Sequence, residues 1–307
     1  MPNSDTLQIA PASHESLAEV FSLVFSTHEA QDALHRVRAA LAEHRAGKLP
    51  CGGLLAARRG GQLVGATFAQ VLPGRSATLY PPQLVPNERE ETAERLVSEA
   101  IAHVRDGGVR VIHALLDGQP HASTVTRLEE AGFTPLAELY YLLAETIDFP
   151  TVPPEGVLTF TPCSSDSYER LCAVVEATYE ATLDCPGLDG IRTAADVLEG
   201  YGTGRGTCPP HWFLIQHEHR DVGCLLLSDY GEHGNCELTY MGITPSVRGN
   251  GWGLLVTRQA QWITRSLGRE RLVLAVDSTN HPARHMYASA GFRGWDRRHV
   301  YLLVLQP

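Results

Sequence analysis

The sequence predicts a mixed α/β fold built twice, two tandem copies of a sheet covered by helices. Three observations predict it. Pro86 to Val97 aligns without gaps on Pro245 to Val256, at an offset of 159 residues. The same offset returns where Ala131-Gly132-Phe133 meets Ala290-Gly291-Phe292, and Leu63-Val64-Gly65 precedes Asp221-Val222-Gly223 by 158. An offset held over so long a stretch marks a duplication. Between the copies, Asp148 to Gly156 carries Pro150, Pro153 and Pro154, a stiff segment that cannot pair as an inner strand. It is expected to divide a first domain, 1–147, from a second, 156–307. Third, strand signals come first as a hairpin run and then alternate with helical ones, which requires a mixed sheet with helices on it.

The elements follow in order. A first helix is expected from Ser13 to about Glu43, and its counterpart in the second copy from Ser165 to Ala181. The second copy continues with strands over Trp212 to Gln216, Asp221 to Ser228 and Cys236 to Ile243. Thr244-Pro245 turns the chain into a helix over Gly251 to Ser266. Arg271 to Val276 is β-rich, and Pro282 to Ala290 reads as a helix closed by Gly291. His299 to Leu305 is the last strand. His217-Glu218-His219 falls in a hairpin turn.

Composition excludes several classes. The 307 residues are 43% apolar and 20% charged, a globular balance. No apolar run approaches the ~20 residues that span a bilayer, and Met1 to Asp5 shows neither a basic nor an apolar leader. A cytoplasmic protein without membrane partners is expected. The net charge of −10 and pI near 5.8 give no basic footprint for nucleic acid. Seven cysteines without a C-x-x-C pair are expected to be reduced, most of them small buried hydrophobes. His281 and His285 have a metal-like spacing, but no Glu or Cys completes a site, so no metal is expected.

The chemistry concentrates in Glu237 to Gly253. A strand ends, Pro245 turns the chain, and Gly249, Gly251 and Gly253 open a helix. Helix N-termini leave backbone N–H groups unpaired and partly positive, and glycines let an anion approach them. A phosphate or pyrophosphate is the natural guest, worth about 1–2 kcal/mol from amides and dipole alone. The spacing is neither that of a P-loop, since no Lys follows, nor a dinucleotide fingerprint.

Arg248-x-x-Gly251-x-Gly253 after a strand resembles the acyl-CoA pyrophosphate loop of the GCN5-related N-acetyltransferase (GNAT) superfamily. The resemblance extends to Asn280 after the next strand, Tyr287 seven residues later, and Gly291-Phe292. It covers the second copy closely and the first only as a degenerate copy, a layout similar to mycothiol synthase, a tandem member. The resemblance implies acetyl-CoA as co-substrate. Arg248, Gly249, Asn250, Gly251, Trp252, Gly253 and Leu254 would hold its pyrophosphate. Met241, Gly242 and Ile243 would pair with the pantetheine amides, Asn280 would bind the pantetheine arm, and Tyr287 would protonate the leaving thiolate. Trp252 either covers the adenine or packs on the sheet, and Arg284 either reaches a ribose phosphate or is solvated.

The amine must also lose a proton. Glu237 is the base candidate, because residues 237, 239 and 241 share one face of a regular strand and an acid in an apolar strand needs a partner or a task. Mycothiol synthase-like enzymes place a glutamate at the matching position. A relayed water or Tyr240 could serve instead. In the first copy Glu90, Thr92 and Glu94 stand at the glycine positions, and His121 and Leu128 at those of Asn280 and Tyr287. No CoA is expected there, and the first copy is left a structural role or a wall of the acceptor cleft. Glu180, Asp184 and Asp189 border the expected acceptor region and suit a cationic amine.

The expected activity is acetyl transfer from acetyl-CoA to a primary amine on a small molecule or peptide, by direct attack, in a monomer or homodimer. Acetylation of a thiol-bearing amino sugar and a non-catalytic CoA sensor or scaffold are the alternatives.

Overall fold

The computed structural model describes residues 6–202 and 204–305. They form two compact units, Met1–Pro135 with Val300–Pro307, and Leu136–His299.

The first unit runs β1 (Leu7–Pro11), α1 (Leu17–Val24), α2 (Ala30–Arg45), β2 (Leu54–Arg59), β3 (Gln62–Leu72), β4 (Ser76–Leu84), α3 (Glu90–Arg105), β5 (Val111–Asp117) and α4 (Ala122–Glu130). β1 to β4 pair antiparallel in order, and β5 joins β4 in parallel. α1 and α2 cover one apolar cluster around Phe21, Leu54 and Phe68. α3 lies in the other, around Leu79, Leu96 and Ile112, to which Tyr301 and Leu305 contribute. The single long helix expected from Ser13 is two helices. The chain turns at Phe25, whose N–H reaches back to Phe21 O, and restarts at Ala30.

The second unit takes β6 (Thr134–Glu145) from Leu136 onward. It continues through β7 (Thr159–Pro162), α5 (Tyr168–Tyr179), α6 (Ala194–Tyr201), β8 (Trp212–His217), β9 (Arg220–Tyr230), β10 (Asn235–Ile243), α7 (Trp252–Ser266), β11 (Arg271–Asp277), α8 (His281–Ser289) and β12 (Arg293–Val304), the last as far as His299. β7 to β10 are antiparallel, β10 and β11 parallel, and β11 pairs antiparallel with β6. Phe149 and Leu272 sit in the cluster that holds α7, and Trp212 and Leu214 in the one that holds α5 and α6.

The duplication is visible element by element. β10, α8 and β12 begin and end 159 residues after β4, α4 and β6, and β8 and β9 lie 158 after β2 and β3. The break between the compact units, however, falls at Pro135–Leu136 and not in the proline-rich segment. Each copy's last strand completes the other unit. Residues of β6 pair with β11, while Leu305 donates its N–H to Arg110 O. The proline-rich segment starts inside the second unit, where Phe149 is buried and Arg258 donates to Asp148 O at 3.0 Å.

The expectation for the cysteines is corrected. Cys163 and Cys208 are disulfide-bonded, so the cysteines are not all reduced thiols; of the five free ones, Cys224 and Cys236 are buried. The short helix α6 carries no signal strong enough to be read from sequence. Among the described residues no helix is long and apolar enough to cross a membrane, and no group of three His, Cys, Asp or Glu converges as metal ligands.

Candidate active site

The site begins with a failure of strand pairing. β10 and β11 pair only from Asn235 to Glu237 against Arg271 to Val273. Thr239 is an extra residue against β9, so the register shifts between Leu238 and Tyr240 and the strand bends. Beyond that point β10 stays paired to β9 and β11 to β6, and a cleft of about 550 Å³ opens between their ends. The edge of β10 from Met241 to Ile243 lines it, and so do Asn280, Met286 and Tyr287.

The glycine-rich loop forms the mouth. Gly249 and Gly251 take left-handed φ of +85° and +74°, and Gly251 caps α7. A Cβ at either would meet no protein atom within 4 Å, so the backbone angle requires glycine, and the open space is left for a guest. Among the described residues no backbone carbonyl takes the amides of Gly249 to Gly253, whereas Leu254 donates to Gly251 O. Five consecutive amides at a helix N-terminus are an anion cradle.

Arg248 does not point into that cradle. Its Nε donates to Ile243 O at 3.0 Å, Nη1 to Glu180 O and Ala181 O at 2.9 and 3.0 Å, and Nη2 to Thr178 O at 2.8 Å. The guanidinium ties the loop to the C-terminal end of α5. Gly242 brings the same elements together, since a Cβ there would lie 2.7–2.8 Å from the Thr178 side chain. Trp252 packs against the sheet cluster, with His217 4.7 Å from its ring. Asn250 donates to Val247 O at 3.0 Å.

Asn280 caps α8, its Oδ1 accepting the Ala283 N–H at 3.2 Å, and its NH2 has no partner among the described residues. Tyr287 is buried to 7% exposure beside Phe292, with ring centres 5.4 Å apart. Burial, assisted by the Asp184 charge, raises its pKa and keeps the hydroxyl protonated. Arg284 is engaged with Ser278 O at 2.8 Å and lies over the Tyr140 ring.

The bulge reverses the expectation for Glu237. Glu237 stands opposite Ser228, while Met241 stands opposite Leu225, and the intervening extra residue breaks the two-residue period. Met241 packs with the α7 cluster and Tyr240 with the α5–α6 cluster. Glu237 lies with the latter, near Tyr230 and Tyr201. Burial raises its pKa, and a hydrogen bond with Tyr230 pulls the other way. Tyr240 bonds the Thr178 hydroxyl at 2.7 Å and contacts the rings of Tyr179 and Tyr201. All three acceptor-side acids are exposed, and of them Asp184 lines the cleft.

Residues 175–292 match the acetyltransferase (GNAT) family. That match lies within the second copy. An uncharacterized N-acetyltransferase of Schizosaccharomyces pombe is 31% identical over 88 residues, 28% of this chain and 54% of that protein. This chain therefore spans about half the length of that curated relative. Its fold is that of a GCN5-related N-acetyltransferase from Sphaerobacter thermophilus, with TM-score 0.63 at 15% identity over 100% of this chain and 98% of the other. A tandem GNAT protein from the clavulanic acid biosynthesis pathway gives TM-score 0.53 at 16% identity, over 98% and 99% of the two chains. A GCN5-related glucosamine N-acetyltransferase region of a fungal multi-domain enzyme gives 0.61 at 13% identity, over 97% and 38%.

The first, GNAT-like unit presents a different surface at the equivalent place. Glu90 at the start of α3 is ion-paired to Arg127 of α4, and Glu88 pairs with Arg59 at 3.1 Å and accepts from the Thr92 hydroxyl. A recess of about 1060 Å³ elsewhere in that unit is lined by Arg75, Arg105, Arg110 and apolar groups, without a carboxylate or tyrosine.

Proposed function

We propose that the second copy transfers an acetyl group from acetyl-CoA to a primary amine, by direct attack and without an acyl-enzyme. The observation that carries this reading is the open wedge between β10 and β11, with an amide cradle at its mouth and a protonated tyrosine in its wall. The cradle at Gly249 to Gly253 takes the pyrophosphate. The Met241 to Ile243 edge pairs with the pantetheine amides, as a missing strand would, and Asn280 donates to the same arm. With the cofactor held so, its thioester would lie between the cofactor face and the tyrosine-rich face around Tyr240, with the reactants held together. Tyr287 gives its proton to the departing thiolate. Glu237 offers a carboxylate to an ammonium group on the acceptor face. Arg248 serves by positioning the loop.

The first copy contributes no second cofactor site, because carboxylates and an ion pair stand where the cradle would be. Calorimetric titration of acetyl-CoA tests the reading. One site per chain is expected, lost in Gly251→Glu, whose side chain would put a carboxylate at the anion's position. Affinity in that variant within about threefold of wild type would remove the loop from cofactor binding, since a lost phosphate contact of 2–3 kcal/mol implies about 30- to 150-fold.

A further inference from the structure

We propose that Asp184, on the loop between α5 and α6, takes the proton from the attacking amine; this rests on the acetyl-transfer reading above. Asp184 is the one carboxylate among the described residues that line the cleft, and Met241, Ala275 and Tyr287 line the same cleft. The bulge at Thr239 leaves Glu237 on the other face of β10.

The loop holding Asp184 is tied down at both ends. Arg248 takes the carbonyls of Thr178, Glu180 and Ala181. Asp184 Oδ1 accepts the Asp277 N–H at 3.1 Å, and Asp277 Oδ2 accepts the Cys185 N–H at 3.1 Å. This reciprocal tie fixes one oxygen of Asp184 and leaves Oδ2 without a donor among the described residues. Oδ2 is therefore the oxygen that can accept from a substrate.

Electrostatics place the group between the two halves of the reaction. The Asp184 charge acts on Tyr287, on the cofactor side, and on Tyr201, on the acceptor side. Titratable neighbours from the packed elements are Asp277 of β11, Cys185 of the same loop, Tyr201 of α6 and Tyr287 of α8. Crowding by protein raises the Asp184 pKa, and the Asp277 carboxylate adds to this. The cysteine and tyrosine neighbours, all raised, stay neutral around neutral pH.

The step balances as follows. The substrate ammonium gives one proton to Asp184 Oδ2, and its nitrogen attacks the thioester carbonyl. The C–N bond forms and the C–S bond breaks, with the Tyr287 proton passing to sulfur. The second nitrogen proton returns to the Tyr287 phenolate, and Asp184 releases its proton to water. An amide, CoA thiol and one proton result.

The test follows kcat/KM against pH, with whichever of benzylamine, spermidine, glucosamine and glycylglycine the wild type acetylates fastest. Asp184→Asn keeps the oxygen that accepts from Asp277 N–H. It should lose about 100-fold at neutral pH, recover as rising pH deprotonates the amine in solution, and keep acetyl-CoA affinity within about twofold, as a non-contacting group would. A merely structural role would not yield to pH. Asp184→Ser makes the same comparison if Asp184→Asn does not fold. Rates within about threefold of wild type at every pH, too small a change for a lost base, would overturn the assignment, the more so if Glu237→Gln collapses instead. A wild type that binds acetyl-CoA but releases no thiol with any of the four amines would sink the acetyl-transfer reading itself.

Discussion

Arg248→Met separates two roles for the residue that opens the glycine-rich loop. The side chain keeps its length and loses every donor. Four hydrogen bonds disappear, to Ile243, Thr178, Glu180 and Ala181 carbonyls. At about 0.5–1.5 kcal/mol net apiece they total ~2–6 kcal/mol. The guanidinium is exposed, and water replaces it at the accessible carbonyls, so the lower end, about 2–3 kcal/mol, is expected. For a unit of this size that lowers Tm by about 5–10 °C. Urea unfolding followed by circular dichroism, with calorimetric acetyl-CoA titration alongside, measures both quantities. The clamp requires a stability loss, with affinity falling only through misplacement of the loop. Stability unchanged within about 0.5 kcal/mol, the ordinary scatter of surface substitutions, would refute the clamp. Combined with a tenfold or larger affinity loss, it would return Arg248 to direct phosphate contact.

Under the proposed acetyl transfer, in which the hydroxyl acts on the departing sulfur, Tyr287→Phe should reduce kcat about 100- to 1000-fold while leaving acetyl-CoA affinity intact; single-turnover thiol release checks it. Gly242→Ala should cost about 1–3 kcal/mol in urea unfolding, since its Cβ would overlap Thr178 and β10 would be forced from α5. In acid, Asp229 is informative: Arg269 hydrogen-bonds it at 2.7 and 2.9 Å and lowers its pKa below 3.8. A depressed carboxylate stabilises above its unfolded pKa, and that contribution disappears as pH falls through the folded value. Asp229→Asn should flatten the stability curve below about pH 4, and an unchanged acid slope would show that the pair contributes nothing.

Much of this was legible in the sequence because it was local. The glycine positions, the strand before them and the helix after them are backbone chemistry written in consecutive residues. The repeat offset survived at β10, α8 and β12 for the same reason. Glu237 was misoriented because the two-residue period assumes a regular strand, and no residue at Thr239 announces a bulge. The clamp at Arg248 and the Asp184–Asp277 tie join residues 70 and 93 positions apart, and spacing rules reach only one turn or one hairpin. The strand exchange was invisible for a related reason. β6 and β12 occupy equivalent places in the two copies, so periodicity cannot assign either strand to a unit.

The two copies also separate what the fold supplies from what a site requires. β4 and β5 pair in parallel only over Ser76 to Thr78 and Val111 to His113, as briefly as β10 and β11 do. The divergence of strands is thus common to both. At the positions of Tyr240 and Met241 the first copy has Pro81 and Pro82, which have no N–H to offer a pantetheine carbonyl. At Gly249 it has Glu90, held by Arg127 from the position of Met286. Carboxylates at a helix N-terminus are favourable on their own account, by about 0.3–1 kcal/mol each. In the first copy the glutamate at that terminus favours the helix, and Arg127 across the gap pairs with it. The second copy leaves its helix terminus open, with two glycines in left-handed conformation, a cost in stability that binding of an anion would offset.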